Sequence, residues 1–172
     1  MKAMGIDPST KATAYSIFVG DRIKNNMVNY GVERRYSPSE RKNGMETADR
    51  IFSIYHSIKK IIQAENPDII YIEDSYLGQT NNVIVLKWLC RLQGFLMELC
   101  MSMGIRYKLV MPSEWRAGLG IPTGKNVSRN EEKEYAIAYV NKKFNKNFTR
   151  KDEDVCESIC LGQFAIDNCC DT

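Results

Sequence analysis

Hydrophobic positions change their period several times along this chain, and each change marks an element. Lys2–Ile6 is a short apolar run, Thr13–Val19 alternates into Phe18, and Lys24–Val32 continues after turn residues at Gly20–Asp21. These three segments read as strands of a meander. Tyr36–Gly44 is polar and holds Pro38 and Gly44, so it reads as a loop. Ala48, Ile51, Ile54, Tyr55, Ile58, Ile61 and Ile62 then recur at helical spacing until Asn66–Pro67. Ile69–Ile72 is a β-branched and aromatic run closing on Glu73, the pattern of a strand buried on both faces.

A long helix is expected from an N-cap at Thr80 or Asn81 to a C′ glycine at Gly104, spanning about residues 81–103. It is apolar over most of its circumference. Only Lys87, Arg91 and Glu98, with Gly94 among them, form a narrow polar or small stripe. Such a helix needs partners on two sides, so a second protein surface is expected besides the sheet. Ile105–Val110 reads as a strand, Pro112–Lys125 with its three glycines as loop, and Asn130–Phe144 and Asp152–Cys169 as helices. The order strand, strand, strand, helix, strand, helix, strand, then helices, makes an α/β layered fold with mixed pairing. The ribonuclease H architecture has that order, and other mixed sheets share it.

At 172 residues the chain has the length of one domain, and its 44% hydrophobic and 26% charged residues exclude a disordered or fibrous class. Six cysteines, with no secretory leader pattern at the start, are read as reduced thiols of a cytoplasmic protein. The most apolar stretch, Val83–Met103, carries Lys87, Arg91 and Glu98, which are costly in hydrocarbon, so no membrane role is expected. The net charge of +3 decides little alone, but Lys125 to Lys151 holds eight Lys or Arg against three Glu. Such a basic stretch suits a polyanion, since phosphate contacts supply most nucleic-acid affinity. Arg34, Arg35, Arg41 and Lys42 form a second candidate patch.

Four acids stand where chemistry is done in α/β proteins. Asp7 ends the first strand and Glu73 the fourth, and ligands bind beyond the carboxyl ends of such strands. Asp154 and Glu157, three apart, share one face of the last helix. Clustered carboxylates repel unless a cation joins them, and all-oxygen ligands suit Mg²⁺ or Mn²⁺. Two such ions about 4 Å apart serve in-line phosphoryl displacement, so phosphodiester hydrolysis is the chemistry indicated. Each segment also has a plainer reading: Asp7–Pro8–Ser9 as an Asx-turn, and Asp152–Glu153–Asp154 as acids at a helix N-terminus.

Gly5–Ile6–Asp7–Pro8 with Thr13 and Tyr15, Pro67–Asp68 with Ile72–Glu73 and Tyr76, and Leu86–Lys87 with Gly94 come first in order. Pro112–Ser113–Glu114 with Gly120 and Lys133, and Asp154–Val155–Cys156–Glu157–Ser158, complete the set. Together they resemble the RuvC-type Holliday junction resolvases of the ribonuclease H-like superfamily, in their divergent phage and low-GC bacterial form. The resemblance implies a five-stranded mixed sheet, three antiparallel strands followed by parallel ones, flanked by helices. It implies Asp7, Glu73, Asp154 and Glu157 as metal-binding catalytic acids, with two Mg²⁺ ions, replaceable by Mn²⁺, and no organic cofactor. Lys133 is implied as a basic residue at the scissile phosphate, with Lys125 and Arg129 as competitors, and Tyr76 as the aromatic that stacks on bases. Arg116, Lys125 and Arg129 are expected to bind DNA alongside Tyr76. The implied partners are branched DNA, specifically a four-way junction, and a second copy joined through helix 81–103. Ser9 and Ala14 replace glycines of bacterial relatives, and Glu157 replaces an aspartate.

Several rivals stand beside this reading: an actin-like ATPase or sugar kinase, a junction-binding protein without activity, and a nuclease for RNA, forks or flaps. His56 is read as structural. Cys156 and Cys160 with Cys169–Cys170 allow a tetrahedral zinc site, against a plainer reading as small core hydrophobes.

Overall fold

The computed structural model describes residues 1–34, 46–76 and 82–169, without the side chain of Arg34. Arg35, Arg41 and Lys42 of the second basic patch, the loop prolines and glycines near them, the candidate caps Thr80 and Asn81, and Cys170 lie outside the described residues.

Strands β1 (Lys2–Asp7), β2 (Ala12–Gly20) and β3 (Asn25–Arg34) form the expected meander, and β4 (Ile69–Glu73) and β5 (Arg106–Val110) complete the sheet. Its order is β3-β2-β1-β4-β5. β1 and β3 each run antiparallel to β2, whereas β4 is parallel to β1 and β5 to β4. Two helices, α1 (Thr47–Glu65) and α2 (Val83–Ser102), cover one face. On the other lie α3 (Pro112–Gly118), α4 (Arg129–Phe144) and α5 (Glu153–Asn168), the last preceded by a 3-10 turn at Arg150–Asp152.

Strand alternation decides which residues face which layer. In β1, Met4 and Ile6 pack with Ile54, Ile58 and Leu96 beneath α1 and α2, while Ala3 faces the core under α5. In β4, Ile70 and Ile72 join the first core, and Ile69 and Tyr71 the second. Asp7 and Glu73 continue the second series, so both emerge on the α5 side at the carboxyl ends of neighbouring strands. Ile6 pairs with Ile72 in register, which sets the two acids side by side.

Two glycines let α5 lie directly on the sheet. A Cβ at Gly5 would stand 2.4 Å from the backbone nitrogen of Gly162 and 2.6 Å from the carbonyl oxygen of Ser158. A Cβ at Gly162 would stand 2.2 Å from Ser16 Oγ. That hydroxyl in turn donates to the Ser158 carbonyl at 2.6 Å. The close approach fixes the depth of α5, and with it the height of Asp154 and Glu157 above Asp7.

Helix ends follow local chemistry. Ser128 and Glu131 form a reciprocal capping box at the start of α4, and Asn145 takes the left-handed conformation at its end. Asn82 caps α2, one residue past the expected Asn81, by accepting from the Ile84 and Val85 N–H groups. Gly104 has φ +65°, the left-handed conformation expected just past that helix. The segment read as loop after Pro112 begins instead with α3: Pro112 occupies the first turn and Glu114 favours the helix N-terminus. Of the three glycines that suggested loop, Gly118 is the last residue of this helix, and Gly120 and Gly124 follow it with positive φ. None of the described helices is long and apolar enough to cross a membrane. Cys156, Cys160 and Cys169 are buried in the core with α5, where burial pushes the Cys156 thiol up to about 12. His56 is exposed on α1 beside Tyr55, away from the acids.

Candidate active site

Asp7, Glu73, Asp154 and Glu157 line one cleft of about 430 Å³. Asp7, Asp154 and Glu157 each bring an oxygen within 4.8 Å of the other two. Glu73 stands outside that group but lines the same cleft. The turn that releases Asp7 from β1 is held by Ser9, whose N–H donates to Thr13 Oγ1 at 3.1 Å and whose hydroxyl accepts from Lys11 and Ala12. A serine in place of glycine thus serves the turn through its side chain.

Burial dominates the electrostatics. It pushes Asp7 well above the ordinary carboxylate range, reinforced by the charges of Glu73, Glu157 and Asp154. Burial and then Glu157 raise Glu73 to about 7, against the opposing Trp115 hydrogen bond and the Arg116 and Arg129 charges. Glu157 is also raised by burial, while Arg116 and Lys133 pull it down. Three buried acids disfavouring charge, in an all-oxygen donor set, are what a hard divalent cation relieves. The residues present fit Mg²⁺ or Mn²⁺.

The cations are placed unequally. Arg116, expected to bind DNA, lines the cleft but is buried there, with Nη2 donating to Glu157 Oε1 at 2.5 Å and Nη1 3.9 Å from Glu132 Oε2. Lys133 donates to Glu153 Oε1 at 2.5 Å and lies 4.0 Å from Glu157 Oε2. Arg150 holds Glu153 from the other side at 2.7 Å. Of the three competitors, Lys133 and Arg129 line the cleft, whereas Lys125 lies exposed on the loop before α4 and does not. Tyr76, 37% exposed, lines the cleft beside Val85 and Leu89 of α2.

Two participants were not assigned from the sequence. Trp115 is fully buried and donates its indole N–H to Glu73 Oε2 at 2.9 Å. Glu132 lines the cleft and accepts from Thr123 at 2.6 Å. The available signal for Trp115 was Pro112 followed by Glu114, which starts a helix and turns the next residues toward the core.

Residues 3–126, more than half of the chain, match the family described as Crossover junction endodeoxyribonuclease RuvC. A protein of that name from Prosthecochloris aestuarii is 29% identical over 135 residues, 78% of this chain and 66% of the relative. One from Fusobacterium nucleatum is 29% identical over 85 residues, 49% of this chain and 42% of the relative. The chain therefore aligns with less than two thirds of the length of either. Among solved structures, T. thermophilus RuvC in complex with Holliday junction substrate has a TM-score of 0.73 at 12% identity, covering 95% of this chain and 92% of that one. The Fowlpox virus resolvase with its substrate Holliday junction DNA has a TM-score of 0.64 at 16% identity, covering 98% and 99%. Both share this fold, the ribonuclease H-like α/β arrangement that the order of elements suggested. The chain belongs to the crossover junction endodeoxyribonuclease RuvC family.

Proposed function

We propose that this chain is a divalent-metal-dependent endonuclease that resolves four-way DNA junctions, residues 1–172 forming one cytoplasmic nuclease unit that acts as a homodimer. The observation that carries the reading is the convergence of Asp7, Asp154 and Glu157 within 4.8 Å in a cleft that also presents Glu73, Lys133, Arg129 and Tyr76. Family membership and the junction-bound structural neighbours support DNA as the substrate.

The reaction is hydrolysis: a water oxygen adds to phosphorus, the bond to the 3′ oxygen breaks, and a 5′-phosphate and a 3′-hydroxyl result. Asp7, Glu73, Asp154 and Glu157 would hold two Mg²⁺ ions, which supply Lewis-acid stabilisation of the charge on the phosphate and a nucleophile at neutral pH. Lys133, anchored by Glu153, supplies a fixed positive charge beside the acids for the scissile phosphate. Arg129, at the first turn of α4, meets the flanking backbone, as does Lys125 farther out on the surface. Tyr76 offers a ring at the cleft mouth on which an unpaired base can stack, a contact indifferent to sequence. Arg116 lines the cleft from a buried position and neutralises Glu157 there.

The second copy docks on α2. Val83, Ile84 and Met101 are 60%, 67% and 69% exposed and, with Cys90 and Gly94, lie along the helix side that faces away from the sheet. Lys87, Arg91 and Glu98 are exposed on the same side, and a face that mixes apolar residues with charges of both signs supports an interface. Two copies cut two strands. The test is a panel of four-way, three-way, flap and linear duplex DNA with Mg²⁺ or Mn²⁺. Selective, paired nicking of the four-way junction is expected, and binding without metal-dependent nicking would leave only a junction-binding role.

A further inference from the structure

α3 is a short helix, yet its consecutive residues Trp115 and Arg116 reach two acids borne by different elements. Trp115 Nε1 donates to Oε2 of Glu73 on β4 at 2.9 Å, and Arg116 Nη2 donates to Oε1 of Glu157 on α5 at 2.5 Å. Each contact commits one oxygen of its glutamate. The other oxygen of Glu73 accepts no hydrogen bond from any described residue, and the other oxygen of Glu157 lies 4.0 Å from Lys133. Trp115 is fully buried, packed in the core that includes Val110, Ile121 and Val155, so its indole cannot turn without displacing neighbours. A planar donor locked on a rigid ring fixes the carboxylate plane in a way that a mobile surface donor does not.

We propose that Trp115 is a positioning residue for Glu73: its indole N–H holds one carboxylate oxygen so that the other is presented to a divalent cation, apart from the group formed by Asp7, Asp154 and Glu157. The inference rests on the metal-site reading above and extends it to a side chain outside the acids. Glu73 stands among like charges in a buried cleft, and Glu157 is the largest of the repulsions acting on it. Without the indole, the carboxylate is free to rotate away from them. The Arg116–Glu157 contact is the matching restraint on the acid borne by α5, so one short helix holds two acids.

The test is Mn²⁺ binding, followed by calorimetry on the purified protein for wild type, Trp115→Phe, Glu73→Gln and the double variant. Loss of a group that orients a metal ligand typically costs about 10- to 100-fold in affinity or activity. Trp115→Phe alone is expected to weaken Mn²⁺ binding about tenfold, and in the Glu73→Gln background to add nothing, because its effect runs through that carboxylate. An equal loss in both backgrounds would mean that Trp115 only fills space, and the proposal would be overturned. Should Trp115→Phe fail to fold, Trp88→Phe leaves Trp115 as the sole tryptophan. Its emission should shift on adding Mg²⁺ and stay constant when Glu73→Gln is added. A shift of equal size in both would also overturn the proposal. Junction cleavage gives the separate readout: kcat falls in Trp115→Phe while metal-free junction affinity stays within about twofold. Absence of cleavage in the wild type overturns the nuclease reading alone, because the Mn²⁺ coupling is measured without DNA.

Discussion

Replacing Gly5 by alanine tests how the site is assembled. The added Cβ would stand 2.4 Å from Gly162 N, 2.6 Å from Ser158 O and 2.8 Å from Gly162 Cα, all backbone atoms that no rotamer can withdraw. Ordinary contact begins at 3.4 Å, so α5 must lift from the sheet by about 1 Å or the strand must bend by as much. Overpacking of this kind costs about 1–3 kcal/mol, and backbone on both sides puts this case at the upper end. Asp154 and Glu157 ride on α5 while Asp7 stays with β1, so the group of three acids opens by a similar distance. A misplacement of about 1 Å can cost about 100-fold in rate. Denaturant unfolding should show the stability loss, and Mn²⁺ binding and junction cleavage the loss of site geometry. Gly94→Ala is the control for stability within one protomer: its Cβ meets nothing within 4 Å there, and alanine in a helix interior should gain about 1 kcal/mol. Gly5→Ala with unchanged stability and cleavage would refute the claim that this glycine contact seats the helix carrying two of the acids.

Other perturbations address the charges and the proposed dimer. Arg116→Met leaves Glu157 buried without its main partner and should cost about 3–5 kcal/mol in unfolding experiments, most of it recovered by adding Glu157→Gln. Glu73 is raised from 4.5 to about 7, so its neutral form is the one the metal-free fold favours. Its contribution, on the order of 3 kcal/mol, is complete below pH 4.5 and is lost as pH rises through about 7. The metal-free melting temperature should therefore fall over that window, and Mg²⁺ should raise it more at pH 8 than at pH 5, as scanning calorimetry would show. An equal Mg²⁺ effect at both pH values would contradict the assignment. Gly94→Glu adds a Cβ that meets nothing within 4 Å in one protomer and places a further charge on the exposed face of α2. Sedimentation should show a folded monomer, and a persistent dimer would place the interface elsewhere.

Most of the frame was legible because it rests on local pattern. Apolar runs that end at Asp7 and Glu73 declare both the strand and the acid at its carboxyl end, and alternation puts the two on one face. The spacing of Asp154 and Glu157 likewise needs only the helical period. Trp115 and Arg116 were obscured because Gly118, Gly120 and Gly124 made their segment resemble a loop, and because an arginine near a nuclease site suggests DNA before it suggests a buried partner for glutamate. Among Lys125, Arg129 and Lys133, charge alone cannot choose; the fold sets Lys125 apart, because Arg129 and Lys133 line the cleft and Lys125 does not. The Gly5–Gly162 contact leaves no local trace, since each glycine has meaning only against the other.

Function rests on whether the acids cut DNA or merely line a cleft that binds it. The direct measurement is a four-way junction incubated with Mg²⁺ and either wild type or Asp7→Asn, with binding followed by gel shift and products by denaturing gel. The account predicts symmetrical, ligatable nicks from the wild type, and from the variant junction binding with cleavage reduced to background. Full cleavage by Asp7→Asn, or binding by wild type with no Mg²⁺-dependent nicks, would contradict it.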